Sequence, residues 1–592
     1  MHTFSVWAPR AGVVSVLVNG QSYPMMSQPH GWWTADVAAE HGVDYAFLLD
    51  DDPKPYPDPR SGWQPAGVHG PSRVLDHRRY VWKDAGFQPT ALSDAVIYEL
   101  HIGTFTPEGT FDAAAEKLLY LRELGITHVE LMPVNSFPGR WGWGYDGVDL
   151  FAPQEAYGGP EALKHFVDQC HSLGLSVLLD AVYNHFGPDG NYTGRFGPYI
   201  TENHHTPWGG AVNLEEYGSD EVRHFFCDNA LMWLRDYHFN GLRLDAVHSL
   251  VDRSAVHFLE QLSEEVESLS NEIGKDLVLI AESDLNDPRV VTPRASKERV
   301  GNCGYGIDAQ WSDDFHHALF AFLTGERRSY YRDFGSLKQL AKALTSIYVF
   351  DDIYSEYRGR NHGRPVENLG AHRFLGYIQN HDQVGNRAFG DRLHEEAGIK
   401  AAKLAAALVL TAPFVPMIFQ GEEFAASSPF LYFADHEDPE LARAVSEGRR
   451  REHAPDGDWE SIPDPESQET FERSKLNWSE RESGSHAEML AWYRSLIDLR
   501  RSHACLRDER LSHTRVGFDE AARWLIMERV SEQGSLHMLF NFWDEAIQLE
   551  APEKSRIVLA SATEVQSDAG TVYLPPQTFA AIVADPRERS DS

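Results

Sequence analysis

The sequence predicts an α/β protein built on a closed (β/α)8 TIM barrel, with a β-sandwich domain on either side. Short apolar strands alternate with amphipathic helices from about residue 94, and such alternation predicts parallel strands. Eight strand candidates follow one another over roughly 330 residues, and eight is the number that closes this type of barrel. No GxGxxG motif follows the first strand, which disfavours a dinucleotide-binding fold.

The N-terminal β-sandwich is predicted over residues 1–88, where short β-branched runs are broken by Pro and Gly. These runs are FSVWAPRAGVVSVLVNG, WWTADV and DYAFLLDD. The stretch that follows them, PYPDPRSGWQPAGVHGPSRV, is too rich in Pro and Gly for regular structure. We interpret it as a linker that packs on its neighbour.

The barrel is predicted over residues 89–500. Its strand candidates, in order, are AVIYELHIGTF, THVELMPV, LSVLLDAV, NGLRLDAV, DLVLIAES, YGIDAQW, FLGYIQN and PFVPMIFQG. The helix candidates FDAAAEKLLYLRELG and EALKHFVDQCHSLG each end at a glycine. A Gly- and aromatic-rich excursion at 186–220 follows the third strand, and a helical insertion at 325–372 precedes the seventh. Short strands return over 505–592, which predicts the C-terminal β-sandwich.

The composition predicts a soluble protein with an uncharged or cationic ligand, although a solvated acidic surface explains most of the charge. The 53 basic and 89 acidic residues give a net charge of −36, which disfavours nucleic acid and anionic membranes as partners. No apolar run approaches the ~20 residues of a membrane-spanning helix. The start, MHTFSVWAPR, lacks the pattern of a signal peptide, and the 4 cysteines lack paired spacing. We therefore expect a cytoplasmic protein without a disulfide framework, zinc site or cofactor.

Polar side chains follow four of the predicted strands, and barrel enzymes carry their chemistry at that end. These side chains are Asp180, Asn184 and His185 after the third strand, Arg243, Asp245 and His248 at the fourth, Glu282 after the fifth, and His381 and Asp382 after the seventh. Any one of them alone is as readily a helix cap, an ion-pair partner or a core histidine. Asp180, in particular, either belongs to the site or only holds a loop or Arg243.

Two of the acids have neighbours that suit opposite roles. Arg243 and Asp245 differ by two positions, so their side chains share a strand face. A neighbouring arginine lowers the pKa of a carboxyl, as a nucleophile requires. Glu282 follows four apolar residues, and an apolar wall raises the pKa of a carboxyl, as a general acid requires. Together with Asp382, these acids predict acid/base and nucleophile chemistry on a hydroxyl-rich substrate.

The motifs DAVYNH, GLRLDAVHS, AESD and NHD, in this order, resemble the four signature regions of the α-amylase superfamily, glycoside hydrolase family 13. The resemblance implies that Asp245 is the nucleophile, Glu282 the acid and base, and Asp382 the group that holds the distorted sugar. It also implies that Arg243, His185, His381 and Tyr145 bind the sugar. His248 and Asp180 are further candidates for substrate binding that the strand-end pattern suggests. Tyr145 is then an aromatic platform under the sugar, or otherwise a loop-packing aromatic.

This resemblance implies a retaining mechanism. Retention requires the two carboxyl groups about 5–5.5 Å apart, and adjacent parallel strands lie about 4.8 Å apart, so the ends of strands four and five meet that distance. Asn184 matches one calcium-ligand position of amylases, but no further oxygen ligands are evident and we predict no metal site.

Other blocks resemble one group of that superfamily, the hydrolases that release trehalose from maltooligosyl trehalose. They include IYELHIGTFTPEGTF, SFPGRWGWGYDGV and FQGEEFAASSPFLYFADHEDPELARAVSEGRRRE. A companion maltooligosyl trehalose synthase is implied as the pathway partner. The alternatives are a 1,4-α-glucan branching enzyme and a non-catalytic sugar-binding barrel, although the latter is expected to lack one of the acids.

The residues that recognise the leaving group are not predicted by the motifs. Candidates on the loops after strands four to eight are His248, Asp284, Asp287, Glu422 and Asp435, each with a surface or capping role as its alternative. The N-terminal domain resembles the modules that precede branching and debranching enzymes. It either binds glucan or packs structurally against the barrel.

Overall fold

The computed structural model describes residues 1–294, 303–454, 461–552, 554–568 and 570–584. Its N-terminal part contains two antiparallel sheets, one of three strands and one of four. Along the second strand, Val14, Val16 and Val18 are buried in alternation, as in a strand with one face in a core. The strands are β1 His2–Trp7, β2 Val14–Val18, β3 Gln21–Pro24, β4 Met26–Ser27, β5 Trp32–Val37, β6 Asp44–Leu49 and β7 Ser72–Arg73.

The next strands build the barrel and three small hairpins. They are β8 Ile97–Leu100, β9 His128–Leu131, β10 Asn135–Ser136, β11 Asp149–Pro153, β12 Ser176–Ala181, β13 Ile200–Thr206, β14 Gly209–Val212, β15 Gly241–Leu244, β16 Val278–Ala281, β17 Ala309–Trp311, β18 Ile353–Ser355, β19 Arg360–His362, β20 Phe374–Gly376 and β21 Val415–Phe419. Eight of them close a parallel barrel in the order β12-β15-β16-β17-β20-β21-β8-β9. The predicted fold is therefore confirmed, with all eight strands at the predicted motifs.

The helices surround the barrel or lie in its loops. They are α1 Ile102–Phe105, α2 Phe111–Ala115, α3 Leu118–Leu124, α4 Gly159–Ser172, α5 Thr193–Phe196, α6 Ser219–Asp236, α7 Phe258–Ile273, α8 Asp313–Thr324, α9 Leu337–Ser346, α10 His381–Gly385, α11 Leu393–Ala397, α12 Ile399–Thr411, α13 Pro439–His453, α14 Gln468–Arg473 and α15 Gly484–Ser502. Helix α3 ends at Gly125, whose φ of 102° lies in the left-handed region that favours glycine.

Two predicted elements are shorter in the structure than in the sequence pattern. The strand predicted over 95–105 ends at Leu100, because the backbone N–H of His101 bonds the side chain of Gln420 instead of a neighbouring strand. The helix predicted over 111–125 is split into α2 and α3. At the junction, the N–H of Lys117 bonds the carbonyl of Ala114, and this tighter turn interrupts the α-helical ladder.

Apolar side chains fill the lower part of the barrel. Ile97, Leu178, Ile280, Leu375 and Met417, each from a different strand, are fully buried in one cluster. Because the interior is packed in this way, the barrel is not a pore, and polar side chains at the strand ends lie above an apolar core. The carboxyl rim is therefore the place for a site.

The C-terminal part returns to antiparallel sheets, one of five strands and one of three. These strands are β22 Thr514–Asp519, β23 Trp524–Ser531, β24 Gly534–Asn541, β25 Ile547–Glu550, β26 Ser555–Ala560, β27 Gln566–Asp568, β28 Thr571–Leu574 and β29 Thr578–Ala584. Phe579 packs on Trp492 of α15, with ring centroids 5.8 Å apart. Within the five described ranges, no helix has the length and apolar character needed to cross a membrane.

Candidate active site

A cavity of about 390 Å³ opens at the carboxyl ends of the barrel strands. All three predicted acids, Asp245, Glu282 and Asp382, line it. The other lining residues are Trp143, Tyr145, Asp146, His185, Trp208, Arg243, Ala246, His248, His381, Asn386, Tyr432 and Phe433. Acids, imidazoles and aromatic rings thus converge from loops that are far apart in the sequence.

One guanidinium group connects three carboxyl groups of this site. Arg243, on β15 and 1% exposed, donates from Nη1 to both oxygens of Asp180 at 2.7 Å and to Oδ1 of Asp245 at 2.8 Å. Its Nη2 lies 2.9 Å from Oε2 of Glu282. The carbon of the guanidinium stands 4.2 Å from the ring centroid of Trp311. The predicted pairing of Arg243 with Asp245 is present, and it extends to two further acids.

Asp245 is held in its charged form. Its Oδ2 accepts a hydrogen bond of 2.6 Å from Nδ2 of Asn184, which also donates to the backbone carbonyl of Asp245. Burial raises the pKa of the Asp245 carboxyl, but the charge of Arg243 and the bond from Asn184 outweigh it and leave the pKa lowered. A buried, ionised carboxylate that faces a cavity can act as a nucleophile.

Glu282 has the opposite electrostatics. Burial raises the pKa of its carboxyl well above the usual 4.5; the charge of Arg243 opposes this shift, and the charges of Asp245 and Asp382 add to it. Its Oε2 pairs with Nη2 of Arg243 at 2.9 Å and accepts, at 2.8 Å, from the backbone N–H of Ala246. Because Oε2 already faces these two positive groups, the acid proton belongs on Oε1.

The loop after β15 is bent so that it reaches Glu282. Ala246 has a φ of 39°, in the left-handed region that non-glycine residues seldom adopt. This turn directs the N–H of Ala246 at Glu282 and starts directly after Asp245. Backbone strain of this kind is typical of functional sites.

Asp382 lies in the first turn of α10. Asn380 caps this helix by accepting from the N–H groups of Asp382 and Gln383, and Asn386 donates to Oδ1 of Asp382 at 2.6 Å. Asp382 is partly exposed and lines the cavity from the end of β20, three strands away from β15 in the barrel order.

A chain of hydrogen bonds joins β8 to the centre of the site. His381 donates from Nδ1 to Oε1 of Glu99 at 2.5 Å, and its Nε2 lies 2.8 Å from the hydroxyl of Tyr145. The Tyr145 hydroxyl also bonds Oδ2 of Asp180 at 2.5 Å. Burial lowers the pKa of the His381 imidazole, but the charge and hydrogen bond of Glu99 outweigh it, so that the pKa is raised.

The remaining predicted site residues differ in their surroundings. Asp180 is 2% exposed and lies beneath the cavity, where it holds Arg243 and Tyr145; burial raises its pKa to about 6. The sequence left two roles open for Asp180, a residue of the site or a support for Arg243, and these contacts favour the role of a support. His185 lines the cavity and stacks on Trp208, with ring centroids 5.1 Å apart. His248 is exposed at the rim.

Four of the five candidates for leaving-group recognition are engaged by other protein groups. Asp284 pairs with Arg358, Asp287 pairs with Arg289, the Glu422 carboxylate accepts from Tyr493, and Asp435 accepts from the backbone of Arg140. His248, the fifth, lines the cavity.

Two buried acids under the site were missed in the sequence. Glu99 and Glu130 lie in register on β8 and β9, and each is 1% exposed. The sequence could have indicated them, because each is a charged residue inside an otherwise apolar strand, in YELHI and HVELM. Trp208, on the hairpin β13–β14, gave no signal beyond the aromatic content of its loop.

The structure gives no support to a metal ion in the parts of the chain that it describes, where no group of three or more His, Cys, Asp or Glu side chains could hold one. Both ends of the Asn184 amide are used within the protein, Nδ2 by Asp245 and Oδ1 by His185.

A barrel with these acids at its carboxyl rim defines a glycoside hydrolase of the α-amylase class. The family model for the α-amylase catalytic domain matches residues 76–203. A crystal structure from Salmonella typhimurium, described as an α-amylase, superimposes with a TM-score of 0.90 at 38% identity, covering 98% of this chain and 97% of that one.

Relatives that match nearly the whole chain identify the family within this class of glycoside hydrolases. A malto-oligosyltrehalose trehalohydrolase from Rhizobium sp. (strain M-11) is 49% identical over 98% of this chain and 97% of its own. One from Mycobacterium tuberculosis (strain H37Rv) is 48% identical over 96% and 97%. The chain therefore belongs to the malto-oligosyltrehalose trehalohydrolase family. The branching-enzyme alternative has weaker support, since a 1,4-alpha-glucan branching enzyme from Pseudoalteromonas atlantica is 34% identical over 42% of this chain.

Proposed function

We propose that this protein is a retaining hydrolase that cleaves the α-1,4 bond next to the terminal trehalose of maltooligosyl trehalose and releases free trehalose. The proposal depends on one observation above all. Asp245 and Glu282 contact the same guanidinium, yet the pKa of Asp245 is lowered and that of Glu282 is raised. Two neighbouring carboxyls with opposite protonation are what a retaining hydrolase needs.

In the first step, Oδ1 or Oδ2 of Asp245 attacks the anomeric carbon and forms a glycosyl ester. The bond from that carbon to the bridging oxygen breaks, and its electron pair stays on the oxygen. Glu282 gives that oxygen its proton, so trehalose leaves as a neutral molecule and Glu282 becomes a carboxylate.

In the second step, the Glu282 carboxylate takes a proton from water. The water oxygen bonds to the anomeric carbon, and Asp245 leaves as a carboxylate. Both side chains are then back in their starting states, and the sugar keeps its anomeric configuration after two inversions.

The other lining residues bind the sugar in this proposal. Asp382 accepts from sugar hydroxyls, His185 donates to them, and Tyr145 offers its ring face. His381 shares its Nε2–H between the Tyr145 hydroxyl and a sugar hydroxyl. Arg243 keeps Asp245 ionised, and Asp180 holds Arg243 and Tyr145 from below. His248, at the rim, contacts the outer part of the ligand.

The proposal also includes the source of the maltooligosyl trehalose and the cellular location of the protein. A maltooligosyl trehalose synthase produces the substrate from a maltooligosaccharide in the same compartment, the cytoplasm. Cys170, Cys227 and Cys505 support a reducing compartment, since they are buried thiols outside any disulfide. Purified synthase and this protein, supplied with maltopentaose, should together yield trehalose; no trehalose from the pair would contradict the pathway.

The test of the function compares the wild type with Asp245→Asn on maltotriosyltrehalose. We expect trehalose release by the wild type and a loss of at least about a thousandfold in Asp245→Asn, because covalent catalysis is removed. Asp498→Asn, a matched change at an exposed position of α15, should keep full activity. New α-1,6 branches on amylose without trehalose release would identify a branching enzyme instead, and an active Asp245→Asn would identify a different nucleophile.

A further inference from the structure

We propose that Glu99 is a positioning residue of the reaction, which holds His381 in the one orientation that serves the sugar. This inference rests on the proposed function, because it assigns His381 to the substrate. Glu99 lies at the third position of β8, the strand that starts the barrel, and is buried under the site.

Both oxygens of Glu99 are used by the same residue. Oε1 accepts from Nδ1 of His381 at 2.5 Å, and Oε2 accepts from the backbone N–H of His381 at 3.0 Å. A carboxylate bonded in this way fixes the ring relative to the first turn of α10. It also assigns Nδ1 as the donor towards Glu99, so Nε2 is directed towards Tyr145 and the cavity.

The contacts continue from His381 to the nucleophile. The Tyr145 ring lies 5.2 Å from the His381 ring and tilts from it by 25°, so the two rings stack, and the Tyr145 hydroxyl bonds both His381 and Asp180. Asp180 in turn holds Arg243, which holds Asp245. Glu99 is thus the buried end of a hydrogen-bonded series that ends at the reacting carboxylate.

Glu99 also keeps the imidazole of His381 charged. The titratable and charged groups that face this ring from the surrounding strands, loops and helix are Glu99, Asp382, Asp180, Asp245, Arg243, Tyr145 and His101. Among the effects on the pKa of His381, burial is the largest and lowers it, and the effects of Glu99 that raise it come next. Without the charge of Glu99, only Asp382 still opposes the lowering effects of burial and of Arg243, so the pKa of His381 falls.

The neighbouring strand supplies a matched control. Glu130 lies opposite Glu99 in the register of β8 and β9 and is equally buried, but neither of its carboxyl oxygens has a hydrogen-bond partner among the described residues. Burial, then the charges of Glu99 and Asp180, raise the pKa of Glu130 well above its usual 4.5, so it is neutral. A glutamine therefore replaces Glu130 with little change, whereas at Glu99 it removes a charge.

The experiment measures kcat and KM against pH for wild type, Glu99→Gln and Glu130→Gln on maltotriosyltrehalose. For Glu99→Gln we expect kcat/KM at pH 7 to fall at least about tenfold and the alkaline limb to move to lower pH. The sign follows from His381, which must be protonated and now loses its proton at a lower pH. Glu130→Gln should stay within about twofold of the wild type with its alkaline limb unmoved.

A further variant covers the case in which Glu99→Gln does not fold. Glu99→Asp keeps the charge on a shorter arm, so its alkaline limb should stay at the wild-type position while kcat falls. Equal behaviour of the two Gln variants, an unmoved limb in Glu99→Gln or a displaced limb in Glu99→Asp would overturn the role of Glu99. A wild type that releases no trehalose would instead overturn the proposed function, so the two failures are distinguishable.

Discussion

At the scale of single residues, the site separates the protonation states of two adjacent acids by hydrogen bonding. Asp245 accepts from Arg243 and from Asn184, and both bonds favour its charged form. Burial favours the neutral form of Glu282, the charge of Arg243 opposes this, and the charges of Asp245 and Asp382 add to it. Since both carboxyls are mostly shielded, with 11% of the Asp245 and 19% of the Glu282 side chain exposed, small differences in partners decide which of them carries the proton.

The pH dependence of kcat/KM should therefore have two limbs. Activity requires Asp245 ionised, so it rises as the pH passes the pKa of Asp245, which is lowered from 3.8. Activity also requires both Glu282 and His381 protonated, so it falls as the pH passes the lower of their two pKa values; that of Glu282 is raised well above 4.5 and that of His381 is raised from 6.5. A pH–rate profile with maltotriosyltrehalose measures both limbs.

Glu282→Gln provides the control for the assignment of the alkaline limb. A glycosyl fluoride needs no acid to leave, so this variant should still form the glycosyl ester from a maltosyl fluoride, without the limb that belongs to Glu282. An alkaline limb that begins below pH 4.5 in the wild type would contradict the role of Glu282 as the acid.

Sequence patterns predicted the acids of the site, but not what supports them. Asp245, Glu282 and Asp382 could be found because each follows an apolar strand at the functional end of a barrel. The support of Asp245 by Asn184 could not be found, because that contact joins the loops of two strands 61 positions apart. The bond between Glu99 and His381 spans 282 positions, and no local pattern encodes it.

At the scale of elements, two buried arginines secure the end of α12 ahead of the last barrel strand. Arg500 donates to the carbonyls of Leu410, Ala412 and Phe414 at 2.7–3.1 Å. Arg529, on β23, donates to the carbonyl of Thr411 at 3.1 Å. The last carbonyls of a helix have no partner within the helix, so these side chains from α15 and the C-terminal sheet satisfy them.

Arg500→Leu should destabilise the protein strongly, because it leaves three buried carbonyls without their donor. At about 1–3 kcal/mol for each unpaired group, we expect a loss of at least about 3 kcal/mol and, for a chain of 592 residues, a fall in Tm of at least about 2–3 °C. Differential scanning calorimetry measures this fall. Arg501→Leu, the same change at the next and exposed position, should leave Tm within about 1 °C; equal Tm values for both variants would refute the structural role.

The elements themselves were largely predictable, and their exact ends were not. Apolar runs located every barrel strand, because burial on both faces leaves little room for polar residues. The early end of β8 depends on Gln420, which lies 319 positions away from His101. Such ends are decided by tertiary contacts rather than by local propensity.

At the scale of the whole molecule, three tryptophans of the N-terminal part contact the barrel domain. Trp32 donates to Glu221 at 3.0 Å, Trp63 donates to Glu155 at 2.9 Å, and the ring of Trp7 lies 5.3 Å from that of Tyr199. Tryptophans that bind glucan need exposed ring faces, whereas these are used against the barrel. Of the two predicted roles of the N-terminal domain, these contacts favour structural packing.

In the whole molecule, the acids, the leaving group and the stereochemistry are linked because they belong to one reaction. Maltotriosyltrehalose should be cut once to give maltotriose and trehalose, with the maltotriose first formed as the α-anomer because two inversions take place at the same carbon. This outcome requires both the nucleophile and the acid to act as assigned.

Time-resolved proton NMR of this reaction tests the roles of Asp245 and Glu282 together with the site of cleavage, since one spectrum reports the released trehalose and the anomer of the new reducing end. We expect trehalose and α-maltotriose to appear together, with the β-anomer growing only later by mutarotation. First-formed β-maltotriose would contradict the role of Asp245 as the nucleophile, and glucose or maltose without trehalose would contradict the proposed site of cleavage.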